Sequence, residues 1–136
     1  SNPETTFDVI VSNPPQMPMT ETSTHDSGGF NGREIIEKII EGAPSYLAEG
    51  GQICMIIMDF LGVDVSYGTM PSLKEMFLSY GFDMEVVDRQ LRNIRHGGKT
   101  EESLGYILDL YPRYKFNSYG DNLFHEALVV RAKPII

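Results

Sequence analysis

The sequence predicts an α/β fold, a largely parallel sheet with helices packed on both faces. Three observations lead there. Short β-branched runs alternate with segments of helical apolar period, in the order strand, helix, strand, helix, strand, helix, strand. Glycine or proline marks most of the junctions between them. Apolar residues make up 41% of the 136 residues, enough for one domain to bury a core.

Each element follows from its own residues. Phe7-Asp8-Val9-Ile10-Val11-Ser12 reads as a buried strand, ended by Asn13-Pro14-Pro15 because proline cannot donate to a ladder. Residues 16–30 are rich in Pro, Thr, Ser and Gly without apolar period and read as a mobile loop. Asn31 reads as an N-cap, with Glu34 completing a capping box. Ile35, Ile36, Ile39, Ile40, Ala43 and Leu47 then share one helical face. Pro44 should bend that helix or end its regular part, and Gly50-Gly51 should close it. Residues 52–58 read as a strand covered on both faces. Pro71 suits a first helical turn, followed by the stripe Leu73, Met76, Phe77 and Tyr80, with Gly81 as the stop. Residues 82–91 form the third strand. Thr100-Glu101-Glu102 opens a helix at the positive end of its dipole, with Leu104, Ile107, Leu108 and Tyr111 buried and Pro112 at the exit. After a polar turn around Asn117-Ser118-Tyr119-Gly120, residues 123–131 are the last strand. No internal repeat or boundary divides residues 1–136, so they read as one domain behind a disordered or tag-derived start at 1–6.

Charge narrows the partners. Only 11 Lys and Arg face 19 Asp and Glu, a net charge of -8, and phosphate backbones are bound by cations that displace counterions. Nucleic acid is therefore disfavoured as a partner, and a protein or small-molecule substrate suits the balance better. The single cysteine, Cys54, excludes an intrachain disulfide and fits a reducing compartment. No stretch approaches the roughly 18 apolar residues that span a bilayer, so no membrane partner and a cytoplasmic location are expected.

Asn13-Pro14-Pro15 carries the chemistry. It stands at the carboxyl end of a buried strand, where open α/β sheets bind ligands. Methylating an amide or exocyclic amine nitrogen requires its lone pair to be aimed at the methyl donor. An asparagine carbonyl oxygen and a backbone carbonyl can accept the two N–H hydrogens and polarise that nitrogen. Two prolines stiffen the turn, so the acceptors are set before the substrate arrives.

Ser12-Asn13-Pro14-Pro15 resembles the fourth motif of class I S-adenosylmethionine-dependent methyltransferases that modify glutamine amides or the exocyclic amines of adenine and guanine. Gly28-Gly29-Phe30-Asn31-Gly32-Arg33 and the isoleucine-rich helix resemble the matching region of release-factor glutamine methyltransferases, as does the turn Leu47-Ala48-Glu49-Gly50-Gly51-Gln52. The resemblance implies a Rossmann-like sheet of order 3-2-1-4-5-7-6 whose final strand is antiparallel, with this chain supplying strands 4-5-7-6. It implies that Asn13 and the carbonyl of Pro14 hold the target nitrogen, first among candidates a protein glutamine, while Pro15 and Gln16 border the substrate. Many relatives carry an aromatic residue where Gln16 stands. The family's glycine-rich cofactor loop and ribose-binding acid lie upstream of Asn-Pro-Pro, so S-adenosylmethionine is the implied cofactor but tight binding by this chain alone is not expected. The rival reading is a catalytically inert methyltransferase-derived piece acting as an assembly or binding module. Either way, residues 7–12 would lie beside an absent first strand, an open apolar edge that predicts a homo-oligomer.

Other motifs carry less. Gly97-Gly98-Lys99-Thr100 follows a strand as a phosphate loop would, but Asn93 stands where that pattern wants its leading glycine. His25-Asp26, His96 and His125 lack metal-ligand spacing, so no metal is expected. Asp59 follows the second strand and reads as a turn cap or a substrate contact. Met55, Met58, Met76 and Met84 read as core, and Met17 and Met19 as loop residues beside the motif.

Overall fold

The computed structural model describes residues 5–19 and 27–135. His25 and Asp26, most of the loop's polar run and the first four residues lie outside that set. The described elements are β1 (Phe7–Ser12), α1 (Glu34–Tyr46), β2 (Leu47–Met58), α2 (Leu73–Ser79), β3 (Phe82–Asn93), α3 (Lys99–Glu102), α4 (Leu104–Leu110), β4 (Asn117–Tyr119) and β5 (Asn122–Pro134).

The sheet order is β1-β2-β5-β3, with β4 hairpinned onto β5. This is the 4-5-7-6 order that the resemblance implies, and β5 is antiparallel to both of its long neighbours. One expectation from the alternation rule changes. Only the β1–β2 pair is parallel, because β5 enters between β2 and β3 and turns their contacts into antiparallel ladders. β1, β2 and β3 still run in one direction, so their carboxyl ends and the start of β5 meet along a single edge.

The core lies on one face. Ile53 pairs with Ala132, Met55 with Val130 and Ile57 with Leu128, and directly opposed residues project from the same side of a sheet. Ile36, Ile40 and Ala43 of α1, Leu73, Met76 and Phe77 of α2, and Ile107 of α4 join them in one cluster. β2 alternates between buried and half-buried positions, where its apolar run predicts cover on both faces. Its partly open side carries Cys54, Ile56 and Met58 beside Val9 and Val11 of β1.

Several boundaries move for local reasons. α1 begins three residues after the expected cap, and Asn31 instead accepts the Arg33 N–H at 2.9 Å in a turn ahead of the helix. The helix runs through Pro44 but ends at Tyr46, within a turn of it, and β2 starts at once. Gly50, at φ 75°, therefore falls in the irregular start of β2, where the pairing with β1 shifts register. Ser72 caps α2 by accepting from the Glu75 N–H at 3.1 Å. The third helix divides at Ser103, and Leu108 and Tyr80 face solvent where their spacing predicts burial. The expected polar turn at 117–120 is a short strand and hairpin.

Candidate functional site

At the end of β1 the backbone leaves the sheet at Asn13-Pro14-Pro15, and a side chain takes over the pairing. Gln16 is 3% exposed and turns inward. Its Nε2 donates to the Ile56 carbonyl at 2.8 Å, and its Oε1 accepts from the Met58 N–H at 2.6 Å. Those groups point towards β1 but lie beyond its last rung, so the carboxamide continues the ladder where two prolines cannot. Nε2 also donates to the Pro14 carbonyl at 3.2 Å, fixing the orientation of that oxygen while leaving it one lone pair. Gln16 lines the cleft beside Asn13, and its polar atoms serve the scaffold. Gln16→Leu should leave the Ile56 and Met58 groups unpaired and cost about 2 kcal/mol of stability. Chemical denaturation measures it, and an unchanged midpoint contradicts the assignment.

The glycine-rich segment braces this loop from behind. Gly28 donates its N–H to the Met17 carbonyl at 3.0 Å, and Met19 donates to the Gly29 carbonyl at 3.1 Å. A Cβ on Gly28 would stand 2.5 Å from the Gln16 Cα, and one on Gly32 2.6 Å from the Gln16 carbonyl oxygen. The two motifs are one construction, packed too closely for any side chain between them. Beneath it, Arg33 is fully buried, its Nε on Glu37 at 3.0 Å and its Nη1 on the Leu61 carbonyl at 3.4 Å, with Nη2 unpaired. Tyr106 and Tyr111 donate to the carbonyls of Phe30 and Asn31, both at 2.5 Å. Burial holds the Tyr111 hydroxyl well above its usual range, so it stays a donor.

Asn13 faces open space. Its carboxamide has no hydrogen-bond partner among the described residues, and it lines a cleft of about 420 Å³ together with Pro14, Pro15, Gln16, Met17 and Met58. A smaller hollow of about 280 Å³ between β1 and α1 is apolar and lies away from the motif. The opposite wall of the Asn13 cleft comes from the end of β3 and the loop into α3, with Asn93, Arg95 and Lys99. A contiguous hollow adds Ile56, Arg92, His125 and Ala127. Reading β3 as ending at residue 91 hid this wall; the rule that ligands sit at strand carboxyl ends applies to β3 as much as to β1.

Of the remaining candidates, Met17, Met58, Gly98, Lys99, Thr100 and His125 border the connected hollows, whereas Asp59 and His96 do not. Asp59 accepts a hydrogen bond from the Tyr114 hydroxyl at 2.8 Å in a separate hollow, away from Asn13. Burial raises its pKa, and the Tyr114 bond opposes that rise. His125 is 6% exposed, stacks edge-on against Phe60 at 5.5 Å, and is pushed below its usual pKa by burial, with Nδ1 unpaired. His96 lies on the surface, its Nδ1 2.9 Å from Glu101. The Glu101 carboxylate also accepts the Gly97 N–H at 2.9 Å, so the loop amide that a phosphate would need is already taken, and these bonds lower the Glu101 pKa. Met17 is buried beside the motif and Met19 half-buried. The described residues hold no cluster of three potential metal ligands, and no described helix is long and apolar enough to cross a membrane.

Known proteins share this fold and part of this sequence. The YcgJ protein of Bacillus subtilis matches with a TM-score of 0.52 over 98% of this chain and 66% of that one, at 12% identity, a likeness of fold alone. A Methanocaldococcus jannaschii protein, provisionally named a protein N5-glutamine methyltransferase, is 34% identical over 90 residues. That alignment takes in 61% of this chain and 42% of the relative, so the chain spans about two fifths of that protein's length. The methyltransferase small domain model matches residues 1–81, which include β1, the Asn-Pro-Pro loop, the glycine-rich brace, α1, β2 and α2. The chain belongs to the methyltransferase small domain family.

Proposed function

We propose that this chain is the acceptor-binding half of an S-adenosylmethionine-dependent N-methyltransferase whose substrate is a protein glutamine. The free carboxamide of Asn13, held over a cleft by a loop that Gln16 locks to β2, carries the reading. Asn13 Oδ1 and the remaining lone pair of the Pro14 carbonyl would each accept one N–H of the glutamine amide. With both hydrogens engaged, the nitrogen cannot rotate, its lone pair stands clear of the loop, and its electron density rises. The name of the archaeal relative supports glutamine over a nucleobase amine, as does the net charge of -8. The test is tandem mass spectrometry of a glutamine-bearing peptide after incubation with the full-length protein and S-adenosylmethionine. Methyl on the glutamine side chain is expected; methyl on another residue, or none, refutes the proposal.

The family implies S-adenosylmethionine as donor, and the described residues do not by themselves fit it. β1 offers no glycine-rich turn, and among the described residues no carboxylate lines the cleft at Asn13 to receive ribose hydroxyls. The residues present serve the acceptor side only. Calorimetry on this chain alone should therefore give a dissociation constant weaker than about 10 μM, and tighter binding contradicts the division of labour.

A second reading, an assembly module, draws on the edge of the sheet. Among the described strands β1 pairs only with β2, its Phe7 and Val9 are half-exposed, and Val11 is 78% exposed. An apolar edge without Lys or Pro recruits another strand. A homodimer or larger assembly through this edge is the expected state at micromolar concentration. Light scattering showing a monomer, with amide exchange showing β1 ordered and unprotected, sinks it.

A further inference from the structure

The wall facing Asn13 is cationic. Arg92, Arg95 and Lys99 line the two connected hollows, and among the described residues no Asp or Glu does, in a chain where acids outnumber bases 19 to 11. Nearby charges are already matched: Glu101 holds Gly97 and His96, and Arg89 lies 3.6 Å from Glu126. Arg92, Arg95 and Lys99 are exposed and have no ion-pair partner among the described residues. Uncompensated charge of one sign gathered at a cleft, against the sign of the whole chain, is a basis for recognising the opposite charge.

Resting on the glutamine reading above, we propose that this wall selects acceptors by charge: the target glutamine sits in an acidic protein segment whose Asp or Glu side chains meet Arg92, Arg95 and Lys99. The cations stand across the cleft from Asn13, where residues flanking a bound glutamine would extend. A nucleic-acid strand suits the surface less well. It needs a track of cations along successive phosphates, whereas here three cations serve one cleft in a chain of net charge -8.

Fluorescence anisotropy with the chain as it stands tests this. The probes are a labelled peptide with a central glutamine flanked by Asp and Glu, the same peptide with Ser flanks, and a single-stranded oligoadenylate. At low salt the acidic peptide should bind about tenfold more tightly than the Ser-flanked one, and the preference should collapse near 0.5 M salt. The double variant R95E/K99E alters two exposed side chains and should abolish the preference, bringing the affinity for the acidic peptide down to or below that for the Ser-flanked one. Equal binding of the two peptides, a preference that survives R95E/K99E, or tighter binding of the oligoadenylate overturns the proposal. Replacing the central glutamine by leucine in the acidic peptide separates the two readings. Weaker binding supports both, whereas unchanged binding with the charge preference intact removes the glutamine assignment and leaves the cationic wall standing.

Discussion

Asn13→Ala in the full-length protein lowers turnover about 10²-fold, roughly 2.7 kcal/mol of transition-state stabilisation, while cofactor affinity stays nearly unchanged. The size of the effect follows from where Asn13 stands. Its carboxamide has no hydrogen-bond partner among the described residues, so on the proposed reading alanine removes a substrate contact and leaves no described buried group unpaired. The acceptor oxygen is aimed in advance by the proline turn and the Gln16 lock, which is the condition under which a single preorganised group matters most to the rate. Initial rates over a range of peptide concentrations, with calorimetry for the cofactor, distinguish lost turnover from lost binding. Unchanged turnover would reduce Asn-Pro-Pro to a turn.

Gly28→Ala has the larger effect on the protein itself. The new methyl group would meet the Gly32 carbonyl oxygen and the Gln16 Cα, both of them backbone atoms that cannot rotate aside. The two segments must part, and the Gln16 bonds to Ile56 and Met58 lengthen with them. A loss of about 3 kcal/mol is expected, at the upper end of what one overpacked methyl group costs. Thermal unfolding measures it. A variant as stable as the parent, with the same amide shifts at residues 13–17, shows that the brace yields and that Gly28 is no constraint.

Much of this was legible from residue patterns. The apolar stripe of α1, the proline stop after β1 and the final long strand all follow from local chemistry, whereas α2 starts at Leu73 behind a Ser72 cap and leaves Pro71, the expected first-turn residue, outside the helix. What pattern reading missed is non-local. Nothing in the spacing of Gln16 says that it will span from the end of one strand to the backbone of the next, 40 and 42 residues on. Periodicity placed β2 and β3 as like strands in a parallel sheet, and only the family resemblance put β5 between them. The cationic wall stayed hidden because Arg92, Arg95 and Lys99 look like ordinary surface charge until β3 is seen to continue to Asn93.

The position of β5 also governs when this half of the sheet can exist. β2 and β3 share no ladder of their own; each is joined to the other only through residues Asn122–Pro134, the latest of the described strands to leave the ribosome. Helices α1, α2 and α4 can form as they are synthesised, since their hydrogen bonds close within a few residues. The sheet cannot. Until β5 slots in, one long side of β2 and the paired side of β3 are without partners, and their union brings together residues from Ile53 to Ala132 in one step. Such distant pairing makes for slow folding, and the interval before it is when this chain is most exposed to joining the wrong strand.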